Sequence, residues 1–256
     1  RAVMKEISLE EVVKYCQNLL RVSEIEDWPQ AMNGLQVANS GKVSRVAAAV
    51  DISPNTLRMA CEAKADLMLV HHGFFWSGLQ PWTGVRYEMI RDMIQNDIAL
   101  YSVHLPLDAH PQIGNNALLA QMLELENPQP FMEMKGQNIG IRGTRQIERQ
   151  KLKTLLEEKL GAPCTLLPFG PKSSEAIGIV SGGAGEETAD AHLEGIDTYI
   201  TGEGPHWTWV SAQELKINVI YGGHYKTESF GVQALAEELF KEFSLPWLFL
   251  DDPSGL

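Results

Sequence analysis

The stretch Leu67-Met68-Leu69-Val70-His71-His72-Gly73 decides how the rest of this 256-residue chain is read. Its apolar run reads as a buried strand that leads straight into two adjacent imidazoles and a glycine. Upstream, Val43 to Val50 has strand character and Pro54 to Ala63 repeats its apolar side chains at helical period. Downstream, Tyr87 to Asn96 reads as a helix, Ile98 to Val103 as a strand and Asn115 to Leu125 as a helix. Ser8 followed by Glu11 has capping-box spacing and opens a first helix through Leu9, Val12, Val13, Cys16, Leu19 and Leu20. Strands alternating with helices specify an α/β fold with a mainly parallel sheet.

The second half repeats this order. A shift of 131 residues places Val46, Ala48 and Ala49 on Ile177, Ile179 and Val180, Asp66 on Asp197, Gly73 on Gly204 and Trp76 on Trp207. A shift of 120 places Leu100-Tyr101 on Ile220-Tyr221, His104 on His224 and Asp108 on Glu228. The matches are collinear, which points to two similar α/β domains from an internal duplication. The expected division is 1–125 and 126–256, with the C-terminal helix able to pack across both. Between the copies, Asn127-Pro128 and Gln129-Pro130 are expected to close the first half. Ile139 to Arg142 reads as strand, and Ile147 to Leu160 as a charged amphipathic helix stopped by Gly161.

Composition narrows the function classes. Thirty-three acidic against 21 basic residues give a net charge of -12, which repels a phosphate backbone and makes nucleic acid an unfavourable partner. Cys16, Cys61 and Cys164 form no CxxC pair, so neither a disulfide framework nor a thiolate zinc site is indicated. No stretch approaches the length of a membrane span, and a soluble cytoplasmic protein is expected. Arg1-Ala2-Val3 ahead of Met4 reads as an addition to a native start.

Chemistry gathers at predicted strand ends, where α/β sheets place their ligand crevices. His71 and His72, as neighbours on an extended segment, point to opposite sides and can serve one metal ion or two. His224 and Glu228, four apart after Gly222-Gly223, fall on one helical face. His104 and Asp108 are their counterparts in the first half. The plainer alternative for each cluster is a capped or solvated pair, and joint occurrence weighs against it. His110, His192 and His206 are weaker candidates; His206 follows the segment aligned with His71-His72, where the second half offers Gly202 and Glu203 instead. No GxSxG elbow supports a nucleophilic serine. Gly182-Gly183-Ala184-Gly185 resembles a phosphate-cradling turn without either standard spacing, and a tight turn is the simpler reading.

Asn33-Gly34-Leu35-Gln36-Val37, Asp51, Ala65-Asp66, His71-His72-Gly73, His104-Leu105-Pro106-Leu107-Asp108, Gly114-Asn115-Asn116, Thr201-Gly202-Glu203 and His224 through Glu228 together resemble the successive motifs of the NIF3-like (DUF34) family, in its short bacterial form. That resemblance implies two divalent metal ions per subunit, of zinc, iron, manganese or nickel. It makes His71, His72, Asp108, His224 and Glu228 the ligands, with His104 beside the metals as a support behind the ligands or a proton carrier. It further implies a ring-shaped homohexamer and the label GTP cyclohydrolase 1 type 2 homologue.

The expected activity is metal-dependent hydrolysis, in which an activated hydroxide attacks a carbon or phosphorus centre of an unidentified, nucleotide-like substrate. Asp108 or Glu228 would bridge the ions, and Tyr225 and Lys226 would meet the substrate. The competing expectation is a metal-storing, metal-delivering or regulatory scaffold protein without turnover.

Overall fold

A computed structural model describes residues 5–256, so the reading of Arg1 to Val3 lies outside it. The elements in chain order are β1 (Ile7–Ser8), α1 (Leu9–Leu19), β2 (Gly34–Val37), β3 (Lys42–Val43), β4 (Val46–Asp51), α2 (Pro54–Glu62), β5 (Leu67–His72), α3 (Val85–Gln95), β6 (Ala99–Ser102), α4 (Leu105–Asp108) and α5 (Asn115–Met122). There follow β7 (Glu126–Met134), β8 (Gln137–Glu148), α6 (Arg149–Leu160), β9 (Thr165–Pro168), β10 (Ser173–Val180), α7 (Thr188–Leu193), β11 (Thr198–Thr201), α8 (Thr208–Leu215), β12 (Asn218–Tyr221), α9 (His224–Thr227), α10 (Gly231–Phe243) and β13 (Trp247–Phe249).

These elements form two compact units. The first comprises the described part of Arg1–Leu107 together with Gly231–Asp252, and the second comprises Asp108–Phe230 with Pro253–Leu256. A linear cut between 125 and 126 differs from this division for a packing reason. Helix α5 lies on β8 and β10, whereas α10 lies on β4 and β5. Each helix therefore belongs to the sheet it covers rather than to the half of the sequence that encodes it.

In the first unit the sheet order is β13-β4-β5-β6-β2. Strands β13, β4, β5 and β6 run parallel, and β2 closes the edge antiparallel to β6. Leu67 through Val70 are fully buried, as a strand covered on both faces requires. Met68, Val70, Ala47, Ala49, Leu100 and Met93 form part of its core. The expected strand from Val43 to Val50 is broken at Ser44 and Arg45. Both of their amides donate to the Asp66 carboxylate, at 2.9–3.0 Å, and so leave the ladder. Ser8 does cap α1, its hydroxyl accepting the Glu11 amide at 3.2 Å.

In the second unit the order is β7-β8-β10-β11-β12-β9. Its β10, β11 and β12 are parallel, with β9 antiparallel to β12. The run β10-β11-β12-β9 thus repeats β4-β5-β6-β2, which is the duplication expected from the sequence. Among the described residues the hairpin of β7 and β8 has no counterpart in the first unit, and Asn127-Pro128-Gln129-Pro130 does not end the segment. Strand β7 is an edge, where prolines cost the ladder little, and the pairing shifts register between Glu126 and Gln129.

Candidate metal centre

Strand β5 ends on the two histidines, and its alternation separates them: His71 is fully buried and His72 half-buried. The His71 ring places Nδ1 2.8 Å from the carbonyl of Val103. A carbonyl can only accept, so Nδ1 carries the proton and the lone pair sits on Nε2. His72 places Nδ1 2.8 Å from Asp51 Oδ1. His104, directly after β6, places Nδ1 3.0 and 3.1 Å from the two oxygens of Asp27, and its backbone amide donates to Asn33 Oδ1 at 2.7 Å.

All three rings are therefore held at Nδ1 by an acceptor, the arrangement that fixes tautomer and orientation in metal-ligating histidines. Ring centroids lie 4.9 Å apart for His71 and His72 and 5.0 Å apart for His71 and His104. One ligand nitrogen from each of the three falls within 4.8 Å of the others, so the trio can hold a metal ion. The resemblance implied a supporting place for His104, and the first unit sets it level with the two other imidazoles. Burial raises the Asp27 carboxyl, but the His104 hydrogen bond and charge outweigh it. With the Asn33 side-chain amide and the Leu105 backbone amide they hold it below the usual aspartate range.

In the second unit, Gly223 at φ +94° turns the chain from β12 into the single helical turn α9. Glu228 follows His224 by four positions, and the helical turn sets Nε2 3.1 Å from Glu228 Oε2. Nδ1 lies 2.6 Å from Glu203 Oε1 at the end of β11. Burial works to neutralise this imidazole, yet the Glu228 and Glu203 carboxylates prevail and raise its pKa to about 9. Gly182, at φ +78°, lies so close to Glu228 that a Cβ there would collide with Oε1. The glycine-rich turn thus makes room for a carboxylate.

Asp108 is 4% exposed, and its Oδ1 accepts Asn115 Nδ2 at 2.8 Å and the Ser181 hydroxyl at 3.1 Å. Asn116 braces the same loop by accepting the Ser181 amide at 2.7 Å.

The structure thus gathers His71, His72 and His104 in one unit and His224 with Glu228 in the other, where Asp108 is held by Asn115 and Ser181. Imidazole nitrogens with carboxylate oxygens suit first-row divalent ions, so the donors present fit a metal. Tyr225 corrects one expectation. It is 4% exposed, because on a helical turn the residue after His224 points about 100° away from it and into the protein. His110 accepts the amides of Gln112 and Ile113 at Nδ1 and shapes a turn. His192 and His206 are exposed. Sequence reasoning passed over Asp27 and Ser181 and gave Asp51 and Glu203 no role; each meets its partner at least 21 residues away, with no local pattern to mark it.

Among the described residues no helix is long and apolar enough to cross a membrane. Residues 7–253 match the family model Duf34/NIF3 (NGG1p interacting factor 3). A Deinococcus radiodurans protein named GTP cyclohydrolase 1 type 2 homolog is 42% identical, over 98% of this chain and 95% of its own length. An Archaeoglobus fulgidus protein of the same name is 36% identical, over 98% and 100%. Among solved structures, TTHA1606 from Thermus thermophilus superposes with TM-score 0.88 at 36% identity, covering 98% of this chain and 100% of that one. Protein ybgI, described as of unknown function, gives 0.89 at 31% identity with the same coverage.

Proposed function

This chain belongs to the Duf34/NIF3 family, and from that premise we propose that it is a metal-dependent hydrolase whose dinuclear centre is held by His71, His72, Asp108, His224 and Glu228. The observation that carries the proposal is the common anchoring of four histidines at Nδ1. Each Nδ1 is held by a carbonyl or carboxylate, the contact that orients metal-ligating imidazoles, and the Nε2 of His224 faces the Glu228 carboxylate. When bound, a divalent ion at such donors supplies Lewis acidity, polarising a substrate oxygen and acidifying water.

The chain's own residues would do the rest. Asp27 holds His104 so that its Nε2 can take up and return a proton, and Asn115 and Ser181 orient Asp108. The relatives' name makes a purine nucleoside triphosphate the first substrate to try.

The test is elemental analysis of the purified chain alongside the double variant His71→Ala/His224→Ala, with a substrate screen on both. Two metals per chain in the parent, and loss of metal and turnover in a still-folded double variant, are expected. Two metals retained by the double variant would sink the assignment. Metal release to an acceptor, with no turnover across the screen, would instead identify a carrier. The family resemblance also leads us to propose a cytoplasmic homohexamer, supported by the apolar side chains Trp207, Trp209 and Val210 exposed on or beside α8. Sedimentation equilibrium measures the subunit number.

A further inference from the structure

The first turn of α3, reached by the loop that leaves His72, carries a guanidinium with no counter-charge among the described residues. Arg86 is half-buried in a chain with twelve more acidic than basic residues, yet among the described residues it forms no ion pair. Its Nε is buried without a hydrogen-bond partner, and its one hydrogen bond, Nη1 to the Phe74 carbonyl, is long at 3.4 Å. Two aromatic rings hold the group in place of an acid. The Arg86 Cζ lies 4.7 Å from the Trp82 ring centre and 5.8 Å from that of Phe74. These rings meet edge to face at 5.8 Å, so the guanidinium rests in an aromatic corner.

Stacking of this kind occupies the flat face of the guanidinium and leaves its N–H edge to bind. The corner is also fixed relative to the histidines. Phe74 follows His72 by two residues, so their Cα atoms are at most about 7 Å apart. The Phe74 amide is pinned to Gln36 Oε1 of β2 at 2.9 Å. Between Phe74 and Trp82, Trp76 stands edge-on to His104 at 4.7 Å and to His72 at 5.9 Å. The buried Nε1 of Trp76 also lacks an acceptor. Two orphaned donors, Trp76 on the loop beside the imidazole trio and Arg86 at the start of α3 against Phe74, call for an acceptor that the protein does not supply.

We propose that Arg86 is the anchor for an oxyanion of the substrate, a phosphate or a carboxylate, held at the edge of the His71, His72 and His104 cluster while the reacting atom sits at that cluster. The proposal deepens the hydrolase reading and rests on it for the meaning of the site, though the anion chemistry of Arg86 stands by itself. Substrates carrying such a group at one end would be selected over neutral analogues, and loss of Arg86 would act on KM more than on kcat.

The experiment titrates inorganic phosphate, and separately acetate, into the zinc-loaded full chain by calorimetry, then into Arg86→Gln and Arg86→Lys. Metal content is measured on every sample. Wild type is expected to bind at least one anion in the millimolar range or tighter, and the preferred anion identifies the group as phosphate or carboxylate. Arg86→Gln should weaken binding at least tenfold and Arg86→Lys several-fold, since the lysine keeps the charge and loses the fork. Metal content should be equal in all three. Should Arg86→Gln misfold, Arg86→Lys carries the comparison. Binding of neither anion by wild type, or equal binding by wild type and variants, overturns the proposal. The same dependence on Arg86 is expected in the metal-free chain. A failure of the metal reading would therefore appear in the stoichiometry and leave the Arg86 ratio intact.

Discussion

Asp51 Oδ1 lies 2.8 Å from Nδ1 of His72, joining the end of β4 to the end of the neighbouring parallel strand β5. The pairing that sets Asp51 opposite His72 also gives the imidazole its acceptor. Replacing Asp51 with alanine should leave the fold in place and weaken metal binding by about 10- to 100-fold. Chelator competition measures the affinity, and an unchanged value would remove Asp51 from the site. Asp27→Ala should instead lower turnover through His104 while metal content is kept, with an added loss of stability because the Asn33 and Leu105 donors would be left without their acceptor.

Gly182→Ala tests the close approach to Glu228. The position combines φ +78° with a Cβ that would collide with Oε1, so a cost of about 1–3 kcal/mol is expected. For a chain of this size, Tm should fall by about 2–4 °C per kcal/mol. Calorimetry reads the fall, and Gly183→Ala is the control, since a Cβ at 183 meets nothing nearer than 3.6 Å.

The metal-free chain should lose stability in alkali through His224. Its folded pKa is raised to about 9, against an unfolded value of about 6.5. The contribution is therefore complete below about pH 6.5 and is lost as pH rises through about 9. Urea midpoints of wild type and Glu203→Gln, both metal-free, should differ most near pH 6 and converge near pH 10. A gap that stayed constant with pH would show that Glu203 does not stabilise the charged ring.

The cysteines should react unequally. Burial pushes the Cys16 and Cys164 thiols up to about 12, while Cys61 is raised but half-buried. At pH 8 a disulfide reagent should modify Cys61 alone in the native chain, and all three after denaturation. Fast native modification of Cys16 would show that α1 opens readily.

Much of the fold was legible because its signals are local. The apolar run 67–70, the Ser8 cap and the collinear repeat each express a periodicity or a cap that acts within a few residues. The β7–β8 hairpin was not legible, since an edge strand tolerates the prolines that would end a central one. The break at Ser44 was equally hidden, because it depends on Asp66, 22 residues away. Of the site, the sequence offered the histidines, Asp108 and Glu228, but not the role of the acceptors that aim the rings.

The sequence by itself determined an α/β duplication with imidazoles and carboxylates at strand ends, because periodicity and chain order suffice for that. Tertiary structure alone decided what holds Nδ1 of each histidine, for the acceptors Val103, Asp51, Asp27 and Glu203 arrive from other strands and loops. It also decided that α5 belongs with the second sheet and α10 with the first. A helix joins the sheet whose apolar face it covers, and that choice lies in packing, which no local pattern encodes.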